Sequence, residues 1–588
     1  MPLAPIRYRV AMPEPQQHEL HITMEIPALP ERPSLDIVLP VWAPGSYMVR
    51  DFSRHIYDLE VMAGSRRLTL ERMDKSRWRL PTGGRAVTVR YRVFAFEVSV
   101  RTSFFDEDRA FWNGTSLFFF ADGETDRACV VDVEPPAGWS ITTALPAPRG
   151  PSGGFHAKSY DELVDSPFEI GRHELHAFRV GGTRFEVALQ GPCNVDRQRM
   201  LATLRTIVQT AGAMFGGFPF TRYLFIIHAV PTRGGGLEHA ASCTLDIAGF
   251  SFEDEKGYQS FAELAAHEFF HAWNVKRIRD RVLGPFDYAQ ENYTRLLWFH
   301  EGFTEYMQDL LLLRAGLLTP ERYLKDLAED WTRYALRPGR NVSPLSELSY
   351  EAWIKQYKPA ENHQNRMVSY YDKGRWAGLV MDLLLRSATK GRRGLPDLFV
   401  RLWVRFGAKG RSIDALIIQR EAERIAGRSL ADFFRRYIDG TVELPVPRLL
   451  RRTGVKVEAK TPSDANDPIK AARLLSWSGL AFTTNGNGER AIVKNVVPGS
   501  PGAEVGITFG DEVVAVDGIR VTATSVGKRL ADRTPGQSAE LTFFRKDQLR
   551  TAVIRLARTP ERRWSFALDP EASQTALALR QRWLGISD

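Results

Sequence analysis

Cysteine is scarce in this sequence, and long apolar runs are missing from it. The three cysteines, Cys129, Cys193 and Cys243, lie far apart and lack the spacing of metal ligands. A disulfide framework is therefore not expected, and a reducing compartment fits this composition better. No apolar run reaches the roughly 18 to 20 residues needed to span a bilayer, so the sequence predicts no membrane partner.

A secretory signal is also missing from the start of the sequence. The first thirty residues alternate polar and apolar types, carry Pro5, Pro13 and Pro15, and have no basic start followed by an apolar run. This pattern differs from that of a signal peptide. We therefore expect a protein that is soluble and cytoplasmic.

One sign of charge predominates only weakly. The net charge is +9 over 588 residues, and acidic residues are interleaved with the basic ones along the whole chain. Such a distribution is typical of a solvated surface, with weak attraction for anionic peptides, so nucleic acid is not an expected partner. The length exceeds what one core can organise and predicts about three or four domains.

Hydrophobic periodicity changes along the chain and divides it. Near the start, Ile6, Tyr8 and Val10 alternate with polar neighbours, which predicts short antiparallel strands in a sandwich-like domain. Later, apolar residues recur three and four apart, and Thr319 followed by Pro320 indicates a helix start. The sequence therefore predicts a multidomain α+β protein. Its predicted parts are a β-rich domain (1–185), a mainly helical domain (186–450), a domain of short strands with a helix or two (451–565) and a tail (566–588).

The strongest chemical signal is the stretch from His267 to His271, with Glu268 directly after the first histidine. A helix turns once in 3.6 residues, so the two histidines lie on one face within reach of one ion. Neutral imidazole suits zinc, and a glutamate between the ligands can act as the general base on a metal-activated water. The pattern predicts a zinc site with His267 and His271 as ligands and Glu268 as the catalytic base.

A catalytic zinc takes three protein ligands and keeps one position open. The best candidate for the third ligand is Glu301, in the apolar-periodic stretch 296–306. A carboxylate on such a packed face is costly unless it is paired or bound to metal. Two rivals are Glu291, in the connection, and Glu305, one turn later; His300 points elsewhere on the helix and is interpreted as structural.

The segment from His267 to Arg279 resembles the glycyl aminopeptidase family of zinc metallopeptidases. Pro44 to Phe52 resembles the N-terminal signature of that family, and Glu301 to Thr304 resembles its third-ligand helix. The resemblance covers nearly the whole chain. It implies an N-terminal β-domain, a thermolysin-like catalytic domain and a C-terminal PDZ domain. The second histidine and the glutamate are farther apart here than in the larger class of zinc aminopeptidases, with Pro285 to Tyr288 inserted between them.

The same resemblance gives meaning to two further segments. Gly235, Gly236 and Glu238 resemble the exopeptidase segment of zinc aminopeptidases, in which a glycine-rich edge admits the substrate backbone and a glutamate binds its α-ammonium group. His239 stands where many of those enzymes have asparagine. Tyr371 resembles the tyrosine that donates a hydrogen bond to the oxyanion, with neighbouring Tyr370 as the alternative. The resemblance also implies a preference for small N-terminal residues such as glycine and alanine.

Two further segments of the sequence each allow two interpretations. The cations Lys276, Arg277, Arg279 and Arg281 follow the zinc helix, where they complement a helix C-terminus or bind a substrate carboxylate. In the PDZ-like segment, the loop at 479–482 is placed to capture a peptide C-terminus through backbone N–H groups, or the domain serves only as a packing module.

The sequence thus predicts a zinc aminopeptidase. Zinc would lower the pKa of a water molecule, Glu268 would move the proton from that water to the leaving amine, and Tyr371 would stabilise the oxyanion. Two alternatives stay open. One is a zinc endopeptidase with the same metal site, and the other is a PDZ-based binding protein with a vestigial enzyme domain. The oligomeric state and the physiological substrate do not follow from the sequence.

Overall fold

A computed structural model of the chain describes residues 3–148, 153–232, 234–462, 468–484 and 489–586. The predicted domains and tail also include residues 1–2, 149–152, 233, 463–467, 485–488 and 587–588, which lie outside the described residues. Two compact units divide the chain. The first comprises Met1–Leu296, Thr304–Leu318 and Pro396–Ala422, and the second comprises Leu297–Phe303, Thr319–Leu395 and Glu423–Asp588.

The first unit begins with a β-rich part, as the alternation in the sequence predicts. Ile6, Tyr8 and Val10 are buried on one face of the first strand, and the residues between Ile6 and Val10 are exposed. This alternation follows from the two-residue repeat of a strand that packs on a core by one face. The strands are β1 (Ile6–Ala11), β2 (Glu19–Ile26), β3 (Leu35–Val38), β4 (Ile56–Ala63), β5 (Arg66–Arg67), β6 (Glu71–Arg72), β7 (Arg77–Leu80), β8 (Val87–Phe94), β9 (Ser103–Phe105), β10 (Arg109–Trp112), β11 (Phe120–Ala121), β12 (Cys129–Glu134), β13 (Ser140–Thr143), β14 (Phe155–Ala157) and β15 (Phe168–Gly171).

These strands form three sheets around a shared apolar core. The largest has seven strands in the order β14-β12-β1-β2-β8-β4-β5, and two four-stranded sheets have the orders β13-β15-β10-β9 and β11-β3-β7-β6. Most neighbours are antiparallel, although β1 pairs with β12 in parallel. Side chains from all three sheets contribute to one buried cluster.

The next sheet has five strands, and its edge strand lies at the candidate site. The strands are β16 (Glu174–Val180), β17 (Thr183–Gln190), β18 (Arg222–Val230), β19 (Gly236–Glu238) and β20 (Ser242–Ala248), and the sheet order is β16-β17-β18-β20-β19. The strand β18 is parallel to both of its neighbours, and β19 pairs antiparallel with β20 at the edge. The edge strand therefore begins at Gly236, the last residue of the glycine-rich segment.

Helices make up most of the chain between the β-rich part and the PDZ domain. The predicted helix start at Thr319 and Pro320 is present, because the Thr319 side chain accepts a hydrogen bond from the backbone N–H of Arg322. The helices are α1 (Tyr160–Val164), α2 (Arg197–Phe215), α3 (Glu255–Phe270), α4 (Phe303–Arg314), α5 (Pro320–Ala335), α6 (Leu345–Tyr350), α7 (His363–Arg366), α8 (Tyr370–Ala388), α9 (Leu395–Arg405), α10 (Ala415–Ala426), α11 (Ala431–Phe433), α12 (Val446–Arg452), α13 (Pro468–Leu475), α14 (Pro501–Glu504), α15 (Val526–Ala531) and α16 (Gln574–Leu584).

The second unit includes a region of short strands that contains the PDZ-like segment. Its strands are β21 (Val455–Lys460), β22 (Ser476–Trp477), β23 (Leu480–Thr483), β24 (Ala491–Val496), β25 (Glu512–Val516), β26 (Ile519–Arg520), β27 (Ser538–Arg545), β28 (Gln548–Arg555), β29 (Ala557–Arg558) and β30 (Arg563–Leu568). A six-stranded sheet has the order β23-β24-β25-β27-β28, with β26 paired to β25. The remaining strands form two two-stranded sheets, β21 with β30 and β22 with β29.

The predicted fold class is confirmed: an N-terminal β-rich domain, a central helical domain and a C-terminal PDZ domain form a mixed α+β chain. Among the described residues, no helix combines the length and apolarity that crossing a bilayer requires.

Candidate active site

Helix α3 positions the two predicted zinc-ligating histidines. The side chain of Asp254 caps its first turn by accepting a hydrogen bond from the backbone N–H of Gly257. At the other end, His271 is the C-terminal cap, one turn after His267. The two imidazole centroids are 4.7 Å apart, and both rings are buried. The helical spacing therefore brings both rings to one place.

Each imidazole is oriented by an acceptor on its Nδ1 atom. Nδ1 of His267 lies 3.0 Å from Oε1 of Gln308, and Nδ1 of His271 lies 2.5 Å from the carbonyl oxygen of Asn274. Since both acceptors are oxygens, Nδ1 donates in each case and Nε2 is the atom presented for coordination. A hydrogen bond from Nδ1 to a protein oxygen fixes the orientation of metal-ligating histidines. The donor set and its orientation thus fit zinc.

Glu268 is buried beside the glycine edge strand. A Cβ atom built on Gly236 would lie 2.0 Å from Oε1 of Glu268, so the carboxylate occupies the space that any other residue at 236 would fill. Gly235 has no such constraint, because its nearest atom would be an Arg101 nitrogen at 3.9 Å. Of the two glycines, only Gly236 is required by the position of the predicted base.

Glu238 lies next to this base and to the second histidine. One ligand-type atom from each of Glu238, Glu268 and His271 lies within 4.8 Å of the others, and all three side chains are buried. On its other side, the Glu238 carboxylate contacts Gly45: a Cβ built on Gly45 would meet both carboxylate oxygens at 2.6 Å. Gly45 has a φ of +86°, a conformation that glycine adopts without strain.

The β-rich part therefore contributes to the site, which the sequence did not reveal. Besides Gly45, the Arg101 guanidinium donates to the carbonyl oxygen of Gly236 at 3.1 Å. The adjacent backbone is fixed within the sheet, since the N–H of Asp246 donates to the carbonyl oxygen of Gly235 at 2.8 Å. Together these contacts hold the edge strand in register over the zinc helix.

Glu301 lies in the second unit, within a π-helical turn, Trp298–Gly302, that leads directly into α4. Its side chain is buried. The turn is packed closely on α8, because a Cβ on Gly302 would lie 2.5 Å from the Cα atom of Gly374. In α4 itself, Glu305 has a carboxylate oxygen 3.8 Å from Nδ1 of His267. Glu301 is one turn earlier in the same helical segment.

Tyr371 begins helix α8 in the second unit. Its backbone N–H donates to Oγ of Ser369, the N-cap residue, and its ring stacks on Tyr370 with the centroids 4.6 Å apart. Burial raises the pKa of Tyr371, and the charge of Glu301 raises it further, so the phenol stays protonated and able to donate. The Tyr370 hydroxyl lies 2.9 Å from that of Tyr357, and a hydrogen bond with Tyr357 also contributes to the raised pKa of Tyr371.

Two of the four cations after the zinc helix have protein partners. Arg277 donates to the carbonyl oxygens of Ala272 at 2.6 Å and Ala240 at 3.0 Å. Nζ of Lys276 lies 2.7 Å from Oδ1 of Asp165. These contacts agree with the interpretation that Arg277 complements the carbonyl groups at the end of the helix.

Comparisons with known proteins identify the three parts of the chain in order. Residues 7–172 match the peptidase M61 N-terminal domain, residues 260–376 match the M61 glycyl aminopeptidase family, and residues 454–556 match the PDZ domain. No match was found among curated proteins. Together with the site, these domains define a peptidase. The chain belongs to the M61 glycyl aminopeptidase family.

Solved structures similar to the chain include an aminopeptidase N family protein from Idiomarina loihiensis. It is 30% identical in sequence with a TM-score of 0.90, and the match covers 98% of this chain and 100% of that one. An M1 zinc metallopeptidase from Deinococcus radiodurans is 14% identical with a TM-score of 0.48, over 75% of this chain and 95% of that one. The first similarity extends over the whole chain, including the PDZ domain.

Proposed function

We propose that this chain is a zinc-dependent aminopeptidase that removes single N-terminal residues from peptides. The observation that carries the proposal is the proximity of Glu238 to Glu268 and His271, within 4.8 Å. In a substrate, the α-amino nitrogen and the scissile carbonyl carbon are only about 2.5 Å apart, from standard bond lengths and angles. An anchor for the amine must therefore lie beside the base and the metal, which is where Glu238 lies. A long-chain endopeptidase has no need for a buried carboxylate there.

The proposed zinc ligands are His267, His271 and Glu301. The two histidines present Nε2, because their Nδ1 atoms are engaged with protein oxygens. Glu301 is favoured over Glu305 because Glu305 lies near Nδ1 of His267 rather than near the edge presented for coordination. When bound, zinc supplies Lewis acidity, which lowers the pKa of water to about 7 and polarises the substrate carbonyl.

The remaining chemistry belongs to side chains of the protein. Glu268, buried between the two histidines, takes a proton from the attacking water and passes it to the leaving amine. Tyr371 donates a hydrogen bond to the oxygen of the former carbonyl as negative charge develops there. Glu238 binds the α-ammonium group, and the edge strand with Gly235 and Gly236 lies along the substrate backbone. The buried setting strengthens each of these interactions relative to water.

The family relationship supports the finer parts of the proposal. We propose glycine and alanine as preferred N-terminal residues and domain boundaries near residues 185, 450 and 565. We also propose that the PDZ loop at Gly479 binds a peptide C-terminus. The edge strand β23 follows this loop and has β24 as its neighbour in the sheet, which leaves it suited to strand addition.

Metal content and an aminoacyl substrate panel test the proposal together. Wild type should retain about one zinc per chain and cleave glycyl and alanyl 4-nitroanilides, and it should not cleave an internally quenched peptide with a blocked N-terminus. Zinc should be lost from His267→Ala, His271→Ala and Glu301→Ala. Stoichiometric zinc in Glu301→Ala would mean that another residue is the third ligand, and Glu291 would be the next to test. Equal cleavage of blocked and free peptides by wild type would instead favour an endopeptidase.

A further inference from the structure

The edge strand β19 has backbone groups that point away from its sheet. On the inner side, the backbone N–H of Asp246 in β20 donates to the carbonyl oxygen of Gly235 at 2.8 Å. In an antiparallel pair, such bonds fall on every second residue, so Gly236 and Glu238 direct their N–H and C=O groups to the open edge. An extended peptide adds to a sheet at an edge of this kind.

Glu238 and Glu268 set the direction in which a substrate would lie on this edge. Glu238 is the proposed anchor of the α-ammonium group, and Glu268 lies beside Gly236, two residues before Glu238 in β19. The N-terminal residue of the substrate would therefore lie opposite Glu238, and its second residue opposite Gly236. The substrate chain then runs antiparallel to β19.

The Arg101 guanidinium lies on the same open edge. It donates to the carbonyl oxygen of Gly236 at 3.1 Å, and a Cβ atom on Gly235 would lie 3.9 Å from the donating nitrogen. Among the described residues, this is the only hydrogen bond of the guanidinium, and no carboxylate forms an ion pair with it. A guanidinium has five N–H donors. Arg101 therefore presents a positive charge and further donors where the second residue of the substrate would lie.

The loop that carries Arg101 is held in shape by its own hydrogen bonds. The Thr102 hydroxyl donates to the carbonyl oxygen of Glu97 at 2.8 Å, and the backbone N–H of Arg101 donates to Oγ of Ser99 at 3.2 Å. The neighbours Val100 and Thr102 are buried, whereas Arg101 is partly exposed. The backbone at Arg101 is thus fixed before a ligand arrives, which lowers the entropic cost of binding.

We propose that Arg101 is a specificity-determining residue that binds the α-carboxylate of the substrate's second residue, so that dipeptides are the preferred substrates. In an extended dipeptide, the α-ammonium nitrogen and the carboxylate carbon are about 6 Å apart, from standard bond lengths and angles. Glu238 and Gly236, whose carbonyl oxygen Arg101 contacts, are two residues apart in a strand, which is about 6.5 Å. The two protein charges therefore match the two charged ends of a dipeptide.

A longer peptide would interact less favourably with Arg101. At the second residue it has a neutral amide in place of the carboxylate, and a guanidinium binds a carboxylate more strongly than a neutral acceptor. A strand that continued along the edge would also need the carbonyl oxygen of Gly236, which already accepts from Arg101. This inference rests on the proposed aminopeptidase function and adds a preference at the C-terminal end of the substrate, while the preference for glycine and alanine at the N-terminal end is unchanged.

Substrate pairs that differ only in the terminal carboxylate test the inference. We would measure kcat/KM for alanyl-alanine against its C-terminal amide, and for trialanine against its amide. Wild type should favour the free dipeptide over its amide by roughly 10- to 100-fold, the range expected for a hydrogen bond to a charged group. Amidation should have a smaller effect on the tripeptide, whose carboxylate lies about 3.4 Å farther along the strand.

Two variants of Arg101 separate its charge from its support of the strand. Arg101→Gln keeps a side-chain N–H donor but lacks the charge, so the dipeptide ratio should fall to about 1. Arg101→Lys keeps the charge and should retain part of the ratio. Arg72→Gln is the matched control, because the Arg72 guanidinium also donates to backbone carbonyl oxygens, those of Asp74 and Lys75, at an exposed position outside the site. It should keep the wild-type ratio.

The outcomes distinguish this inference from the proposed function. If wild type cleaves alanyl-alanine and its amide with equal kcat/KM, the role of Arg101 is wrong and the aminopeptidase stands. If none of the free-amine substrates is cleaved, the proposed function itself fails. An Arg101→Gln protein that loses activity on both dipeptides equally, and so keeps the wild-type ratio, would show that Arg101 only supports the strand. Should Arg101→Gln not fold, Arg101→Lys and the wild-type comparison of the two lengths decide, since equal effects of amidation on dipeptide and tripeptide would overturn the proposal.

Discussion

The carboxylate of Glu268 fills the space beside the Cα atom of Gly236, where a Cβ would lie 2.0 Å from Oε1. Real Cβ atoms do not approach other atoms so closely. The glycine is therefore needed to let the edge strand and the zinc helix meet, in addition to any role in admitting a substrate backbone. The Arg101 guanidinium donates to the carbonyl oxygen of Gly236 at 3.1 Å, which restrains the strand from moving away from the zinc helix.

The first prediction follows from this contact. Gly236→Ala should lower kcat by on the order of 100-fold, since displacing a catalytic group by about 1 Å can cost that much. Zinc content should be unchanged, because the three atoms nearest to the new methyl group all belong to Glu268, which is not a proposed zinc ligand. Gly182→Ala is the matched control, as its Cβ would meet nothing within 4 Å, and it should retain wild-type turnover. Normal kcat in Gly236→Ala would mean that Glu268 can move without consequence.

Glu268→Gln should retain zinc and lose nearly all activity. Glutamine keeps the size of the buried side chain but cannot take a proton from water. Loss of general acid–base catalysis is expected to cost roughly 100- to 10,000-fold in kcat. Zinc content by metal analysis and kcat on an alanyl substrate are the two measurements. Near-normal turnover with zinc unchanged would contradict the assignment of Glu268 as the base.

Tyr371→Phe should lower kcat more than it raises KM. The hydrogen bond that it removes would form mainly in the transition state, and loss of one such donor typically costs about 100- to 1,000-fold. Tyr370→Phe is an informative comparison, because Tyr370 is the alternative oxyanion donor and its hydroxyl lies 2.9 Å from that of Tyr357. An effect of Tyr371→Phe on KM alone would contradict the assignment of Tyr371 as the oxyanion donor. A larger effect on kcat from Tyr370→Phe would assign that role to Tyr370.

A buried histidine makes stability depend on pH. His228 bridges two carboxylates, with Nε2 at 2.9 Å from Glu169 and Nδ1 at 3.0 Å from Asp246. Burial and Arg109 lower the pKa of His228, but Glu169 and Asp246 outweigh them, so its pKa is raised. A group whose pKa is raised on folding contributes its full stabilisation below its unfolded pKa, about 6.5, and loses it as the pH rises through the folded value.

We therefore expect His228→Gln to be more destabilising at pH 6 than at pH 9. Breaking a buried charge pair costs about 3–5 kcal/mol, and this cost should shrink as the wild-type ring deprotonates. The melting temperatures of wild type and variant at the two pH values test this. His176→Gln is the control, because its pair with Glu174 is partly exposed and is worth at most about 1 kcal/mol. A destabilisation by His228→Gln that grows with pH would reverse the assigned protonation state.

Local patterns in the sequence were enough to predict the fold class and to propose the zinc site. His267, Glu268 and His271 are one turn of helix, and their spacing alone predicts a shared face. The strand alternation around Tyr8 and the start of α5 at Thr319 are equally local, and the structure confirms both. Each of these features depends on residues only a few positions apart.

The parts that the sequence did not reveal depend on distant pairs. Gly45 contacts Glu238 and Arg101 contacts Gly236, across 135 residues in the latter case. Gly45 lies in the N-terminal signature and Gly236 and Glu238 lie in the exopeptidase segment, but neither motif indicates which residue of the other it contacts, so the sequence did not show that the β-rich part reaches the site. Gly45 belongs to the segment that resembles the N-terminal signature, and that resemblance does not indicate the Glu238 carboxylate that the glycine accommodates.

The last prediction separates exopeptidase from endopeptidase. Glu238 is 4% exposed and lies within 4.8 Å of both Glu268 and His271. An ammonium group entering this space must be paired, because an unpaired buried charge is costly. Glu238→Ala should therefore lower kcat/KM for free-amine peptides by roughly 30- to 1,000-fold, the effect of removing one partner of a buried charge pair.

Glu238→Gln should have a milder effect than Glu238→Ala, since the amide oxygen still accepts a hydrogen bond but lacks the charge. Acetylation of the substrate N-terminus should abolish cleavage by wild type, and zinc should be unchanged in both variants. Glu253→Ala, at an exposed position outside the site, is the matched control and should behave as wild type. The measurement is kcat/KM for matched free and N-acetyl peptides in all four proteins. Equal cleavage of the two peptides by wild type would remove the aminopeptidase assignment and leave an endopeptidase built on the same zinc site.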